Sequence, residues 1–367
     1  MPELESISIK GFKSIASVEK LPLNSINVVI GANGSGKSNF IGVFSFLHAI
    51  RAGHLQEYVA KAGGAGKVLH FGSKVTPKLS FHVIFKDKIN QYELELHPTD
   101  SDNLIPTSER VYFWNKSHPQ PHAINLDQVG KEAGIGYEIH GGVASRVRDH
   151  FDRWRLYHFH DTSSNSPLKS TANIHDNRYL RPDGSNLAAF LYYLRKRHES
   201  SYALIRSTIR QIASFFDDFL LEPQQLNPDM IRLGWRHQNS DAYFDVASLS
   251  DGTLRFIALA TLFLQPEKDR PSVILVDEPE LGLHPYAITM LAELVKQAAV
   301  TTQVIVSTQS PQLLDHFEPE DVIVTDLVNG ATQFRRLSSA DLYEWLEAYS
   351  LGQLWEKNEL GGCPGGL

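Results

Sequence analysis

Residues 26–38 read Ile-Asn-Val-Val-Ile-Gly-Ala-Asn-Gly-Ser-Gly-Lys-Ser. The apolar run 26–30 predicts a buried strand. The following GANGSGKS, 31–38, meets every constrained position of G-x-x-x-x-G-K-[ST]. Ile41, Phe44, Leu47 and Ile50 then recur on one helical face. A strand, a glycine-rich loop and a helix start in that order make a phosphate cradle. Glycine lets successive backbone N–H groups turn inward, at the positive end of the helix dipole. Lys37 would reach the β- and γ-phosphates and Ser38 would ligate Mg²⁺. Asn33, Gly34, Ser35, Gly36 and Asn39 complete the binding stretch. The sequence thus predicts a nucleoside triphosphate as ligand.

Composition narrows the class. With 42% hydrophobic and 21% charged residues, the 367-residue chain has the balance of a globular protein able to bury a large core. The opening MPELESISIK carries Glu3 and Glu5 and no signal-like apolar run, and no stretch approaches the length of a membrane span. The single cysteine, Cys363, excludes an intrachain disulfide and a cysteine-based metal site. These features predict a cytoplasmic protein with no membrane partner. Thirty-five basic against 42 acidic residues give a net charge of −7, so only a local basic patch would attract nucleic acid.

The first hundred residues read as β-rich around the loop: ESISIK alternates, and 79–85 (LSFHVIF) and 92–96 (YELEL) look like paired strands. Shorter signals follow at 111–114 (VYFW) and 155–160 (RLYHFH), then a polar loop over 161–186. Leu187, Phe190, Leu191 and Leu194 share a helical face, a second helix is expected over about 201–216, and strands return at MIRLGW and AYFDV. The last 120 residues alternate strand and helix, which implies parallel β-α units.

Three further motifs lie in that last part. Residues 272–280, SVILVDEPE, form an apolar strand ending in acids. Asp277 would order the Mg²⁺ shell and Glu278 would activate the attacking water. Residues 248–255, SLSDGTLR, open a helix with Ser250 as N-cap and Leu254, Ile257, Ala258 and Leu262 on one face. Residues 304–311, VIVSTQSP, form a buried strand followed by Ser310 as N-cap and Pro311 at N1. Pro285 suits the first turn of a helix with Ile288, Leu291 and Leu294 inward.

In chain order, SIKGFKS (8–14), GANGSGKS, LSDGT (249–253), VDEPELGLHP and STQSP resemble the ATP-binding-cassette superfamily, specifically the RecF/SMC-like branch and the OLD-type heads. The resemblance covers both ends and about half of the chain. It implies an α/β P-loop NTPase fold of the ABC-ATPase type, with a mixed sheet, an antiparallel β subdomain and an inserted helical lobe. The implied divisions are 1–161, 162–225 and 226–367. It implies ATP and Mg²⁺ as cofactors and ATP hydrolysis as the activity. Ser250 and Gly252 of one head would act on the γ-phosphate held by a second copy, giving an ATP-dependent head-to-tail homodimer. Lys13 and Ser14 would lie near the nucleotide, and His284 is read as part of a backbone turn rather than a catalytic group. At the switch position the family usually carries histidine, whereas Gln309 stands here. Its amide donates a hydrogen bond but carries no charge, so slow turnover is implied.

The middle, 100–240, carries no assigned motif. His160 or Asp161 is a candidate for the Mg²⁺-sensing loop that such heads place there. His158 and His160 would share one strand face, but two histidines without further ligand spacing read as structural. Arg195, Lys196, Arg197 and His198, with Arg146, Arg148, Arg153 and Arg155, are candidate phosphate contacts, although charge runs at helix ends are usually solvated. Two functions follow from the resemblance. One is an ATP-gated dimer in DNA transactions, in repair or anti-phage defence. The other is a regulatory ATPase module that holds or licenses a separate effector such as a nuclease.

Overall fold

The computed structural model describes residues 3–137, 141–240 and 242–362, so Cys363 lies outside the described residues. The chain divides into two units, residues 3–154 with 318–362 and residues 155–317.

The first unit contains an antiparallel six-stranded sheet. In spatial order its strands are Ile15–Pro22, Leu4–Phe12, Leu79–Phe85, Asn90–Pro98, Leu104–Phe113 and His122–Asn125. Alternation in 4–12 puts Ile7 and Ile9 inside. Phe12, Phe46 and Phe81 meet at 5.5–6.0 Å between ring centres, which joins this sheet to the helix Lys37–Arg51. The expected strands 79–85 and 92–96 pair antiparallel, Phe81 opposite Leu94. Glu109 is buried in this sheet, where its carboxylate accepts from Tyr92 Oη at 2.9 Å and from the backbone N–H groups of Gly134 and Ile135. Burial pushes its carboxyl up in pKa.

The phosphate-loop strand Ile26–Ile30 belongs to a second, mixed set of strands. It pairs parallel with Val322–Val328, Val28 opposite Val322, and Val322–Val328 pairs antiparallel with Ala331–Arg336. The carboxyl-terminal part therefore contains an antiparallel hairpin as well as parallel units, and two helices, Ser339–Leu346 and Leu351–Glu356, follow the hairpin.

The second unit holds the parallel strands Val273–Asp277 and Gln303–Ser307, in register at Asp277 and Ser307. The helices Asp251–Leu264 and Pro285–Ala299 pack against each other. Every residue from Leu254 to Leu264 is buried, as an all-round apolar sequence requires. The helices Leu187–Arg197 and Glu199–Ile212 precede a small antiparallel sheet of Phe216–Leu220, Gly234–His237 and Tyr243–Asp245. The second helix is shorter than the expected 201–216 because Phe216 already pairs with His237. The expected strand at MIRLGW is broken at Arg232 and Leu233 for the same reason: Asn227–Ile231 and Gly234–His237 join different sheets. Among the described residues no helix is long and apolar enough to cross a membrane.

Candidate functional site

In the first unit the loop 31–38 leaves its strand at Ile30 and enters its helix at Lys37. The side chain of Lys37 is buried, and its ammonium donates to the carbonyls of Gly31 at 2.6 Å and Ala32 at 3.0 Å. Asn33, Gly34 and Ser38 are exposed, and the Ser38 hydroxyl takes no hydrogen bond among the described residues. Gly36 is the N-cap, at φ 109°, and a Cβ there would lie 2.0 Å from Thr332 Oγ1. Only glycine fits that conformation and that gap.

Residues the sequence reading missed hold the loop from beneath. Ser35 Oγ meets Thr325 Oγ1 at 2.7 Å, and Thr325 Oγ1 donates to the Ile30 carbonyl at 2.9 Å. Thr332 Oγ1 donates to the Ser35 carbonyl at 2.9 Å. Ser14 Oγ lies 2.7 Å from Thr332 Oγ1 and accepts from Asn39 Nδ2 at 2.7 Å, so Ser14 and Asn39 both join this net. Lys13 sits at φ 47° with its carbonyl 2.7 Å from His70 Nδ1, and burial lowers the pKa of its amine. Two threonines on a hairpin far along the chain carry no motif; their role is visible only in three dimensions.

In the second unit the acids stand at the end of Val273–Asp277. Ser307 Oγ donates to Asp277 Oδ1. Glu278 has φ 41°, an unfavourable conformation for a non-glycine residue, while its N–H still donates to the Ser307 carbonyl at 2.8 Å. Gln309 Nε2 donates to Glu278 Oε1, so the expected switch residue and the expected base touch. A third acid, Glu280, is buried. Its Oε1 accepts from Thr308 Oγ1 at 2.5 Å and Gln309 N at 3.2 Å, and its Oε2 has no partner. Burial pushes the Glu280 carboxyl up, against the pull of the Thr308 hydroxyl. Its place in DEPE, two residues after Glu278, was the one signal available in the sequence.

Ser250 caps its helix through Thr253 N at 3.2 Å, and its hydroxyl lies 2.8 Å from Thr253 Oγ1. Asp251 is 3.5 Å from Lys169 Nζ, which also donates to the Thr162 carbonyl. Asp251 and Thr253 of LSDGT thus each have a local partner. Gly252 packs on the turn after the acids, since a Cβ there would sit 2.3 Å from the Gly282 carbonyl. Ser250, Gly252, Gly282, His284 and Tyr286 line one small cavity of about 140 Å³. His284 caps the helix Pro285–Ala299 by accepting from Tyr286 N at 3.3 Å, a structural task.

The strand expected over 155–160 ends at Tyr157. Beyond it buried Arg255 donates to two carbonyls, Nε to Phe159 and Nη2 to His160, both at 2.9 Å. Asp161 is exposed and caps Ser163 N at 3.0 Å. Burial lowers the His158 pKa, against the attraction of Asp277. The exposed hydroxyl of Ser38 in the first unit and the carboxylate of Asp277 in the second are each hard oxygen donors of the kind Mg²⁺ takes.

The sequence profile of the family described as "AAA domain, putative AbiEii toxin, Type IV TA system" matches residues 26–315. No curated protein matches the chain. Among solved structures, an Smc head bound to the C-terminal winged-helix domain of ScpA is similar with a TM-score of 0.60 at 16% identity, over 94% of this chain and 100% of that one. A second, the Smc head with an extended coiled coil bound to the C-terminal domain of ScpA from Pyrococcus furiosus, gives 0.55 at 15% identity, over 95% and 99%. At these identities the likeness establishes the fold alone, that of an Smc head.

Proposed function

The chain belongs to the AAA-domain family that spans its residues 26–315, an ATPase of the SMC-head type, and on that premise we propose that it works as an ATP-gated homodimer in DNA transactions. Bound ATP·Mg²⁺ supplies the transferable phosphoryl group and the charge neutralisation its departure needs. Lys37 would exchange its carbonyl contacts for phosphate oxygens, and Ser38 and Asp277 would hold the ion. Glu278 would take the proton of the attacking water, and Lys13 lies on the strand end beside Ser14. Gln309 donates to Glu278 Oε1 without adding charge, which occupies one lone pair of the base and supports slow turnover.

One observation carries the dimer. The turn of Ser250 and Gly252 lies against that of Gly282, and both are accessible, flanked by exposed Leu281 and Tyr286. A capped helix start with free N–H groups on an open face suits the γ-phosphate of a second copy. Arg195, Lys196 and Arg197 are exposed at a helix end with no ion pair among the described residues, which supports DNA as a partner. The second reading, a head that licenses a separate effector, draws on the bound ScpA of the two Smc heads. Repair or defence is a role of either.

Glu278→Gln should lower turnover by about 10²–10⁴-fold, the range of a general base, and trap ATP. Sedimentation should then show dimers with ATP and not with ADP, and adding Ser250→Arg should abolish the shift while the single head still binds ATP. A Glu278→Gln protein that stays monomeric and uncompacted in ATP sinks the dimer. ATPase stimulation by DNA favours the first reading; activity that appears only with a bound protein favours the second.

A further inference from the structure

We propose that His158, His160 and Asp277 form a binding site for a first-row transition-metal dication, held by two imidazole nitrogens and one carboxylate oxygen. Their ligand atoms all lie within 4.8 Å of one another, and no other group of three such residues occurs among the described residues. The two rings are 6.3 Å apart between centres. Neither imidazole takes a hydrogen bond among the described residues.

The backbone explains why the rings converge. Phe159 between them is buried, so its neighbours in extended chain face the other way together. The segment is fixed although it belongs to no strand, because His158 N donates to the Pro182 carbonyl at 2.9 Å and Arg255 clamps the carbonyls of Phe159 and His160. Arg255 is itself buried on the helix that Ser250 caps. On the carboxylate side Ser307 Oγ holds Asp277 Oδ1, the outer-shell support that orients a ligating acid.

Donor chemistry selects the ion. Mg²⁺ keeps oxygen ligands and much of its water, whereas imidazole suits Zn²⁺, Co²⁺, Fe²⁺ and Ni²⁺. Two nitrogens and one oxygen leave coordination positions open for water or a phosphate oxygen. The inference rests on the proposed function only in treating Asp277 as a metal-facing acid; it requires no nucleotide.

Co²⁺ is the probe, titrated into the full chain without nucleotide and followed by its visible absorption and by calorimetry. One ion per chain should bind and resist millimolar Mg²⁺. Replacing both histidines, as H158A with H160A, should weaken Co²⁺ by more than about a hundredfold, since even outer-shell partners are worth roughly ten- to a hundredfold. The size-conserving pair H158Q and H160Q should do the same, with an unchanged melting temperature to show that folding survives. Lys37→Ala should leave Co²⁺ binding intact while removing ATP binding, so the two assignments fail separately. Co²⁺ binding that persists in the glutamine pair, or that Mg²⁺ displaces at equal concentration, overturns the site.

Discussion

The phosphate loop and the switch end of the acidic strand achieve order by different chemistry. Beneath 31–38 the bonds are neutral: the hydroxyls of Ser14, Thr325 and Thr332 tie Ser35 and Ile30 in place. The ammonium of Lys37 donates to the carbonyls of Gly31 and Ala32, contacts that a phosphate can replace. At 277–280 three acids fall within four residues and each is held differently: Asp277 by a hydroxyl, Glu278 by an amide at strained φ, Glu280 by burial. A loop that receives an anion has to be rigid and hold its cation through contacts that the anion can exchange. An acid that accepts a proton has to be distinguished from the acids around it, and unlike environments do that.

The sharpest way to break this contrast is Lys37→Ala. It removes the one cation of the loop and should weaken ATP by at least about a hundredfold, because charge-assisted phosphate contacts are the strong ones. Calorimetry that finds parental affinity would dissolve the cradle assignment. A smaller effect tests the neutral net. Thr332→Val keeps the shape but strips the Ser35 carbonyl of its donor in a buried place, so urea unfolding should show a loss of about 1–3 kcal/mol. A variant as stable as the parent would mean that the hairpin does not brace the loop.

The smallest effect concerns pH. The folded pKa of Glu280 is raised by burial, so its protonated form fits the native state better. The stability this brings is complete below the ordinary glutamate value of about 4.3 and is lost as pH rises through the folded value. Glu280→Gln, which keeps an oxygen acceptor for Thr308 and Gln309, should flatten that part of the stability profile. Parent and variant with parallel melting-temperature profiles from acid to neutral pH would remove Glu280 from the list of tuned acids.

What the sequence disclosed follows from how local each feature is. INVVI and GANGSGKS predicted the strand Ile26–Ile30 and a helix after the loop, which starts at Lys37, because adjacent residues dictate both. Ser250, Ser310 and Pro285 likewise announced their helix starts. The supports were hidden: Thr325 and Thr332 act across nearly the whole chain, and no period or spacing links them to Ser35. RLYHFH looked like a strand throughout because its alternation is real. It stops pairing at Tyr157: His158 N turns to the Pro182 carbonyl, and the carbonyls of Phe159 and His160 are taken by a side chain, Arg255, from another part of the sequence. The third member of the histidine group, Asp277, lies far along the chain from both rings, where no ligand spacing links it to them.

The threonine props also set a timetable. The Ser35 carbonyl takes its hydrogen bond from a residue 297 positions further on. A ribosome adding about 5–20 residues per second needs roughly 15–60 s to reach it. For that interval the nascent chain carries a complete nucleotide motif on an unbraced loop, so competence to hold ATP arrives late in synthesis.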